Sequence, residues 1–229
     1  MAVGVAAGAG AQQTAGNLRV DLNAKTLSVQ AKAEELFNRE DYRRAHVIYL
    51  NDLAPIGDKY AQYMLGFMSL SGLGVEQDPV LASAWYRLAA ERGKPEEFVA
   101  IRDELLAQLD AADRGRSDEI YRGLRRKYSD LVISMREVRD AYGDRSQVRT
   151  GSLLGSQSSA LTIIEPHAGV NLSSGDEFLQ RVERRMQRYL DYITATLGID
   201  AIEAESVTAA KLANLEDQVD DYLRRTDAP

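Results

Sequence analysis

The feature that most constrains this chain is a helical hairpin pattern that occurs twice between residues 29 and 94. In each copy, apolar residues recur at spacings of three and four positions on both sides of a short polar or glycine-containing turn. Proline and glycine end each copy, at Pro55 and Gly57 and again at Gly93 and Pro95. The pattern predicts two αα-hairpins in succession. One hairpin cannot bury its apolar face alone, so we expect further helices to stack on it.

The second copy has the clearer helix-ending and helix-capping residues. A glycine-rich turn at residues 72–75 interrupts the helical spacing, and Asp78 then provides an N-cap before Pro79 at the first helical position. The residues that define this copy are Ala61, Leu65, Gly66, Gly72, Gly74, Asp78, Ala82, Trp85, Ala89 and Gly93. In order and spacing, residues 59–94 resemble one Sel1-like repeat, a relative of the tetratricopeptide repeat. Ser69 departs from that pattern, which usually places an aromatic residue there.

The resemblance implies an all-α fold, a short αα-hairpin solenoid of the Sel1-like or tetratricopeptide-like kind with a right-handed superhelix. Residues 28–58 resemble only the looser tetratricopeptide pattern. Apolar spacing predicts a closing pair of helices over residues 95–129, with the turn from Asp113 to Ser117, and a further helix from Ser129 to Ala141.

We expect four segments along the chain. They are a flexible tail or signal-peptide remnant (1–24), a repeat domain with capping helices (25–145), a linker (146–175) and a C-terminal amphipathic helical hairpin (176–229). Ser174 and Glu177 form a capping-box pattern in front of the last segment. Within the linker, residues 161–164 are expected either to pair as a strand with an available edge or to pack back on the repeat.

The first residues of the chain resemble part of a signal peptide and so indicate a cellular location. Residues 1–18 carry no charge and are mostly small, and Ala9-Gly10-Ala11 has the small-x-small pattern of a signal-peptide cleavage site. We therefore expect a periplasmic or secreted protein, the alternative being a cytoplasmic one with a flexible tail. Whether residues 1–13 are removed stays open. The stretch is too short and too rich in glycine to predict a membrane-spanning helix.

Composition argues against several function classes. The chain has no cysteine, and its two histidines are His46 and His167. No phosphate-binding glycine loop, serine nucleophile elbow or paired metal-ligand histidine is present, so we expect no enzyme activity, no cofactor and no bound metal. The net charge is −7, and residues 150–229 hold most of it with seven basic and thirteen acidic side chains. An acidic chain of this kind is not expected to bind nucleic acid.

The resemblance implies a non-enzymatic interaction or adaptor module that binds a partner protein or peptide on the concave helix surface. Tyr60, Tyr63 and Phe67 are the candidate partner-binding residues, because they fall on the side of their helix away from Ala61 and Leu65. Alternatively, these rings pack under the linker or the C-terminal hairpin.

A second hypothesis is a structural subunit that forms a homo-oligomer through its C-terminal helices. Their apolar stripes are compatible either with folding as an intramolecular hairpin or with an interface to a second subunit.

Overall fold

The computed structural model describes residues 24–150, 162–165 and 171–227. Packing divides the chain after Ser129, giving residues 1–129 and residues 130–229. We call these the repeat unit and the C-terminal unit. The all-α expectation is confirmed: helices make up almost all of the described residues, and the described strands form one short hairpin.

The repeat unit is built from helices that pack on their neighbours in the sequence and on the helix two positions away. α1 packs on α2 and α3 on α4, and both α5 and α6 pack on α4. The helices are α1 (Ala24–Asn38), α2 (Tyr42–Ile48), α3 (Lys59–Ser71), α4 (Pro79–Ala89), α5 (Glu96–Gln108) and α6 (Ala111–Tyr128). A π-helical turn (Tyr49–Leu53) and a 3-10 turn (Ala54–Ile56) extend α2, and a 3-10 turn (Ala90–Arg92) extends α4.

The predicted turn from Asp113 to Ser117 is wrong. The break between α5 and α6 lies at Leu109 and Asp110 instead, and Asp110 caps α6 by accepting a hydrogen bond from the backbone N–H of Asp113 at 2.8 Å. Ser117 then lies inside the helix, where its hydroxyl is 2.6 Å from that of Ser83 on α4. The polar sequence therefore supplies a helix cap and a buried hydrogen bond, which fix α6 on α4.

Buried polar groups tie the repeat unit together around α3. The amide of Gln62 is fully buried and donates to the backbone carbonyl of Tyr128 at the end of α6, at 3.1 Å. Lys59 is also buried, and its ammonium group donates to the carbonyl of Leu88 at 3.1 Å and pairs with Glu91 at 2.8 Å. Because buried polar groups are stable only when they are hydrogen-bonded, these contacts fix where α4 and α6 lie against α3.

The C-terminal unit contains three long helices and the strand hairpin. These are α7 (Asp130–Thr150), β1 (Thr162–Glu165), β2 (Asn171–Ser174), α8 (Gly175–Leu197) and α9 (Ala209–Thr226), with a 3-10 turn (Ala204–Ser206) before α9. β1 and β2 are antiparallel, with Thr162 opposite Ser174 and Glu165 opposite Asn171. The edge that β1 pairs with therefore belongs to the same chain, while Leu161 lies outside the described residues.

The predicted capping box at the start of α8 is confirmed. The hydroxyl of Ser174 accepts from the backbone N–H of Glu177, whose carboxylate accepts from the N–H of Ser174. The apolar stripe behind it is buried, at Val182, Met186, Tyr189, Leu190 and Ile193, and α8 packs along α7. Near the end of α7, the guanidinium of Arg145 is buried and donates to the carbonyls of Ala204 and Val207, which holds the turn before α9.

The observed division differs from the predicted segments. α7 continues to Thr150 and packs on α8, so it lies with the C-terminal unit rather than with a repeat domain that ends at residue 145. Residues 146–150 and the two strands likewise give regular structure to much of the segment expected as a linker at 146–175. The expected tail at 1–24 lies outside the described residues except for Ala24.

Candidate functional site

The accessible side of α3 is almost entirely aromatic and apolar. Asp58 caps the helix by accepting from the N–H of Ala61 at 3.0 Å, and Gly72 ends it in the left-handed conformation. Between Lys59 and Leu70, the residues that are not buried are Tyr60, Tyr63, Phe67 and Leu70, each of them half-buried. We call these four residues the α3 surface. They occupy the side of the helix that the sequence predicted for the first three.

The rings of the α3 surface are held by neighbours in the repeat unit. Tyr63 stacks on Phe98 of α5 with ring centroids 4.5 Å apart and contacts Tyr86 of α4 at 5.3 Å. Phe67 lies 6.2 Å from Phe37 of α1. Aromatic pairs at these separations are attractive, so one face of each ring is fixed while part of it stays open.

Phe37 and Phe98 are not among the partner-binding residues that the sequence predicted. The structure shows that these two rings support the α3 surface from both sides. Their spacing within α1 and α5 is that of any buried residue, so the sequence held no local signal that distinguishes them.

The phenols of this region are kept protonated by burial. Burial raises the pKa of Tyr60 and of Tyr63, and the nearby charge of Glu34 raises that of Tyr60 further. Beneath them lie the buried hydroxyls of Tyr49 and Tyr86, neither of which has a hydrogen-bond partner among the described residues. The α3 surface is therefore uncharged, and the charged residue of this helix, Lys59, is buried and lies outside the surface.

The predicted repeat-defining residues have clear structural roles. Leu65, Ala82 and Ala89 are fully buried and Trp85 almost fully, and Asp78 caps α4 by accepting from the N–H groups of Val80 and Leu81 at 2.9 Å. Gly72 and Gly93 end helical segments in the left-handed conformation. Ser69 is buried, and its hydroxyl donates to the carbonyl of Leu65 at 2.8 Å, so no aromatic side chain fills this position.

Two glycines are required by close contacts. A Cβ on Gly66 would lie 2.9 Å from the ring of Tyr86, so glycine lets α3 approach α4. Gly74 has φ of +74°, and a Cβ there would lie 2.6 Å from the backbone of Tyr42. The spacing of these glycines therefore reflects how tightly the hairpins pack.

The described residues offer little for metal or membrane chemistry. Within residues 24–150, 162–165 and 171–227, no group of three or more carboxylate and imidazole side chains is placed to hold a metal ion. No helix in this part of the chain is long and apolar enough to span a membrane. His46 is half-buried on α2, and His167 lies outside the described residues.

Comparison with known proteins identifies the repeat. Residues 59–94 match the family model described as the Sel1 repeat, with the boundaries that the sequence pattern predicted. Neither a curated protein sequence nor a solved structure gives a significant match to the chain. Residues 59–94 are thus similar to a Sel1 repeat, and repeats of this kind are in general non-enzymatic modules that mediate protein–protein interaction.

Proposed function

We propose that the repeat unit is an adaptor that binds a partner protein or peptide on the α3 surface. The observation that carries this proposal is the distribution of burial on α3. Every residue from Lys59 to Ser69 is buried except Tyr60, Tyr63 and Phe67, which form the accessible face together with Leu70. A helix that is buried on all other sides presents nothing but this face to a partner.

The chemistry of the surface suits a protein partner. Aromatic side chains are enriched in the cores of protein interfaces, where they bury large areas. Here the stacking of Tyr63 on Phe98 and the contact of Phe67 with Phe37 hold the rings before any partner arrives. Side chains that are already ordered lose little conformational entropy on binding, which favours affinity.

The experiment compares capture by the full chain and by two variants. Tyr63→Ala combined with Phe67→Ala removes two rings, and Ser71→Arg adds a bulky charge four residues beyond Phe67 without removing packing. Proteins captured from a bacterial envelope fraction are quantified by mass spectrometry, and a true partner is lost with both variants. Since Tyr63 and Phe67 also pack internally, the melting temperature of each variant is measured alongside.

The matched control is Ala112→Arg, which adds the same charge at an exposed position of α6, a helix that packs on α4. It should capture partners as the unmodified chain does. Equal capture by Ser71→Arg and the unmodified chain would refute the α3 surface as the binding site.

The location in the bacterial envelope is part of the same proposal. Its support is the uncharged, small-residue sequence of residues 1–18 with Ala9-Gly10-Ala11 as a cleavage site. The full chain is expressed in a bacterium, the periplasm is separated from the cytoplasm, and the N-terminal residue of the recovered protein is sequenced. A periplasmic protein that begins at Gln12 is expected; an unprocessed cytoplasmic one would contradict this location.

A further inference from the structure

The charges around the α3 surface are arranged on its two flanks, and α1 forms the first of them. Gln30 of α1 donates to Asp58 at the start of α3 at 2.6 Å, and Phe37 contacts Phe67. These contacts identify the side of α1 that faces α3. Glu34 lies between Gln30 and Phe37 at helical spacing and is exposed.

A further observation supports this placement of α1. The charge of Glu34 acts on the pKa of Tyr60, which puts its carboxylate near the α3 surface. Leu27, one helical step before Gln30 on the same side, is 48% exposed. This flank therefore combines an apolar side chain with a carboxylate.

α5 forms the second flank. Ile101 packs on the same buried cluster as Tyr63 and Phe67, which identifies the side of α5 that turns toward the α3 surface. Glu97 and Glu104 lie four residues before and three residues after Ile101, so they share that side, and both are exposed. The second flank is therefore acidic as well.

These carboxylates are not held in ion pairs within the described residues. Glu34, Glu97 and Glu104 have no ion-pair partner in the described part of the chain. The only charged residue of α3, Lys59, is buried and paired with Glu91. The helices of the repeat unit differ in charge: α6 has six basic and three acidic residues, α5 has one basic and four acidic residues, and α1 has two of each.

We propose that the α3 surface and its acidic flanks select a partner segment that is positively charged and carries apolar side chains. The inference rests on the proposed function and names the chemistry of the partner. Open aromatic faces accept apolar side chains and also attract the guanidinium of arginine. Carboxylates on both sides form charge-assisted hydrogen bonds with basic side chains and repel an acidic segment.

The test uses the full chain and three short fluorescent peptides of equal length. All share the same leucine and tyrosine residues, and the remaining positions are arginine in the first, glutamine in the second and glutamate in the third. Fluorescence anisotropy should show the tightest binding for the arginine peptide and the weakest for the glutamate peptide. The advantage of arginine over glutamine should be on the order of tenfold in Kd and should shrink as salt is added.

The variant Glu34→Gln/Glu97→Gln/Glu104→Gln should bind the arginine and glutamine peptides equally well, with its Kd for the glutamine peptide unchanged. The matched control is Glu35→Gln/Glu96→Gln/Asp103→Asn, which removes three exposed acids from other sides of α1 and α5 and should keep the preference. Equal binding of all three peptides by the unmodified chain would overturn the charge preference and leave the proposed function intact. Failure of every peptide to bind would count against both.

Discussion

The central helix of the repeat unit and the main helix of the C-terminal unit are buried in different ways. α3 is buried at eight of its thirteen positions, and these include Lys59 and Gln62, which must find partners inside the protein. α8 is buried at seven of its twenty-three positions, along one apolar stripe, and keeps its charged side chains outside that stripe. The repeat unit therefore depends on close approach and internal hydrogen bonds, whereas the C-terminal unit depends on an amphipathic stripe.

This difference has a functional consequence. In a helix buried on nearly every side, the accessible residues are few, and in α3 three of the five are aromatic. In α8 and α9 the exposed sides are polar, and the exposed large hydrophobic residues of the described chain, Leu27 and Val47, both belong to the repeat unit. A protein-binding surface is thus easier to place on the repeat unit. Self-association through the C-terminal helices stays a prediction, which light scattering on the full chain tests.

The largest effect is expected for Gly74→Ala. The substitution places a Cβ 2.6 Å from the backbone of Tyr42 at a residue with φ of +74°, so it combines backbone strain with a clash that no side-chain rotation relieves. We expect the free energy of unfolding of the repeat unit to fall by about 3 to 5 kcal/mol, because the strain and the clash add. Trp85, the single tryptophan, is buried on α4, so the denaturant dependence of its fluorescence reports on this unit.

The control for this substitution is Gly93→Ala. Gly93 has φ of +68°, but no neighbouring atom lies within 4 Å of the position that a Cβ would take, so only the strain remains. That strain should cost about 1 kcal/mol. If the two variants lose the same stability, close contact between the hairpins is not what requires glycine at residue 74.

The next largest loss of stability is expected when the buried cation of each unit, Lys59 or Arg145, is replaced. Lys59→Met removes the buried ammonium group that pairs with Glu91 and donates to the Leu88 carbonyl, and it should lower the stability of the repeat unit by about 2 to 4 kcal/mol. Arg145→Met removes the donor to the Ala204 and Val207 carbonyls and should lower that of the C-terminal unit by about 2 to 3 kcal/mol. Trp85 fluorescence should detect the first loss, while far-ultraviolet circular dichroism should detect both. A shift of the fluorescence transition by Arg145→Met would show that the units do not unfold separately.

The same glycine-to-alanine change should lower the free energy of unfolding in the repeat unit and raise it in the C-terminal unit. At Gly66 the new methyl group would lie 2.9 Å from the ring of Tyr86, and we expect a loss of about 1 to 2 kcal/mol. At Gly143, inside α7 with no atom within 4 Å, alanine should add about 0.5 to 1 kcal/mol by restricting the unfolded chain. Urea unfolding followed by fluorescence for the first and circular dichroism for the second measures both. Destabilisation at both positions would contradict the contrast between tight and loose packing.

The sequence predicted the features that follow from residue spacing and missed those that depend on long-range polar contacts. The hairpins and the repeat at 59–94 were predictable because spacing and glycine positions report directly on helix packing, and Tyr60, Tyr63 and Phe67 fell on the accessible side for that reason. The start of α6 was not, because a polar segment ending at Ser117 looks like a turn until Ser83 is known to lie opposite it. Long-range polar partners and the helix that α7 packs against leave no periodic trace in a single sequence.

The smallest effect is expected from two hydroxyls that lack partners, one in each unit. The hydroxyls of Tyr86 and Ser134 are buried, and neither has a hydrogen-bond partner among the described residues. Removing such a group costs no hydrogen bond, so Tyr86→Phe and Ser134→Ala should leave the free energy of unfolding at neutral pH unchanged or raise it by less than about 1 kcal/mol.

The tyrosine adds a dependence on pH that the serine lacks. Burial raises the pKa of Tyr86 above its ordinary value of 10.0, because the buried phenol resists ionisation. The free energy of unfolding is therefore unaffected by this group below pH 10.0, and it falls as the pH rises from there toward the folded-state pKa, because only the unfolded chain then loses the proton. In Trp85 fluorescence, Tyr86→Phe should therefore lose less stability than the unmodified chain under alkaline conditions. A clear loss of stability in Tyr86→Phe at neutral pH would show instead that this hydroxyl is hydrogen-bonded in the folded protein.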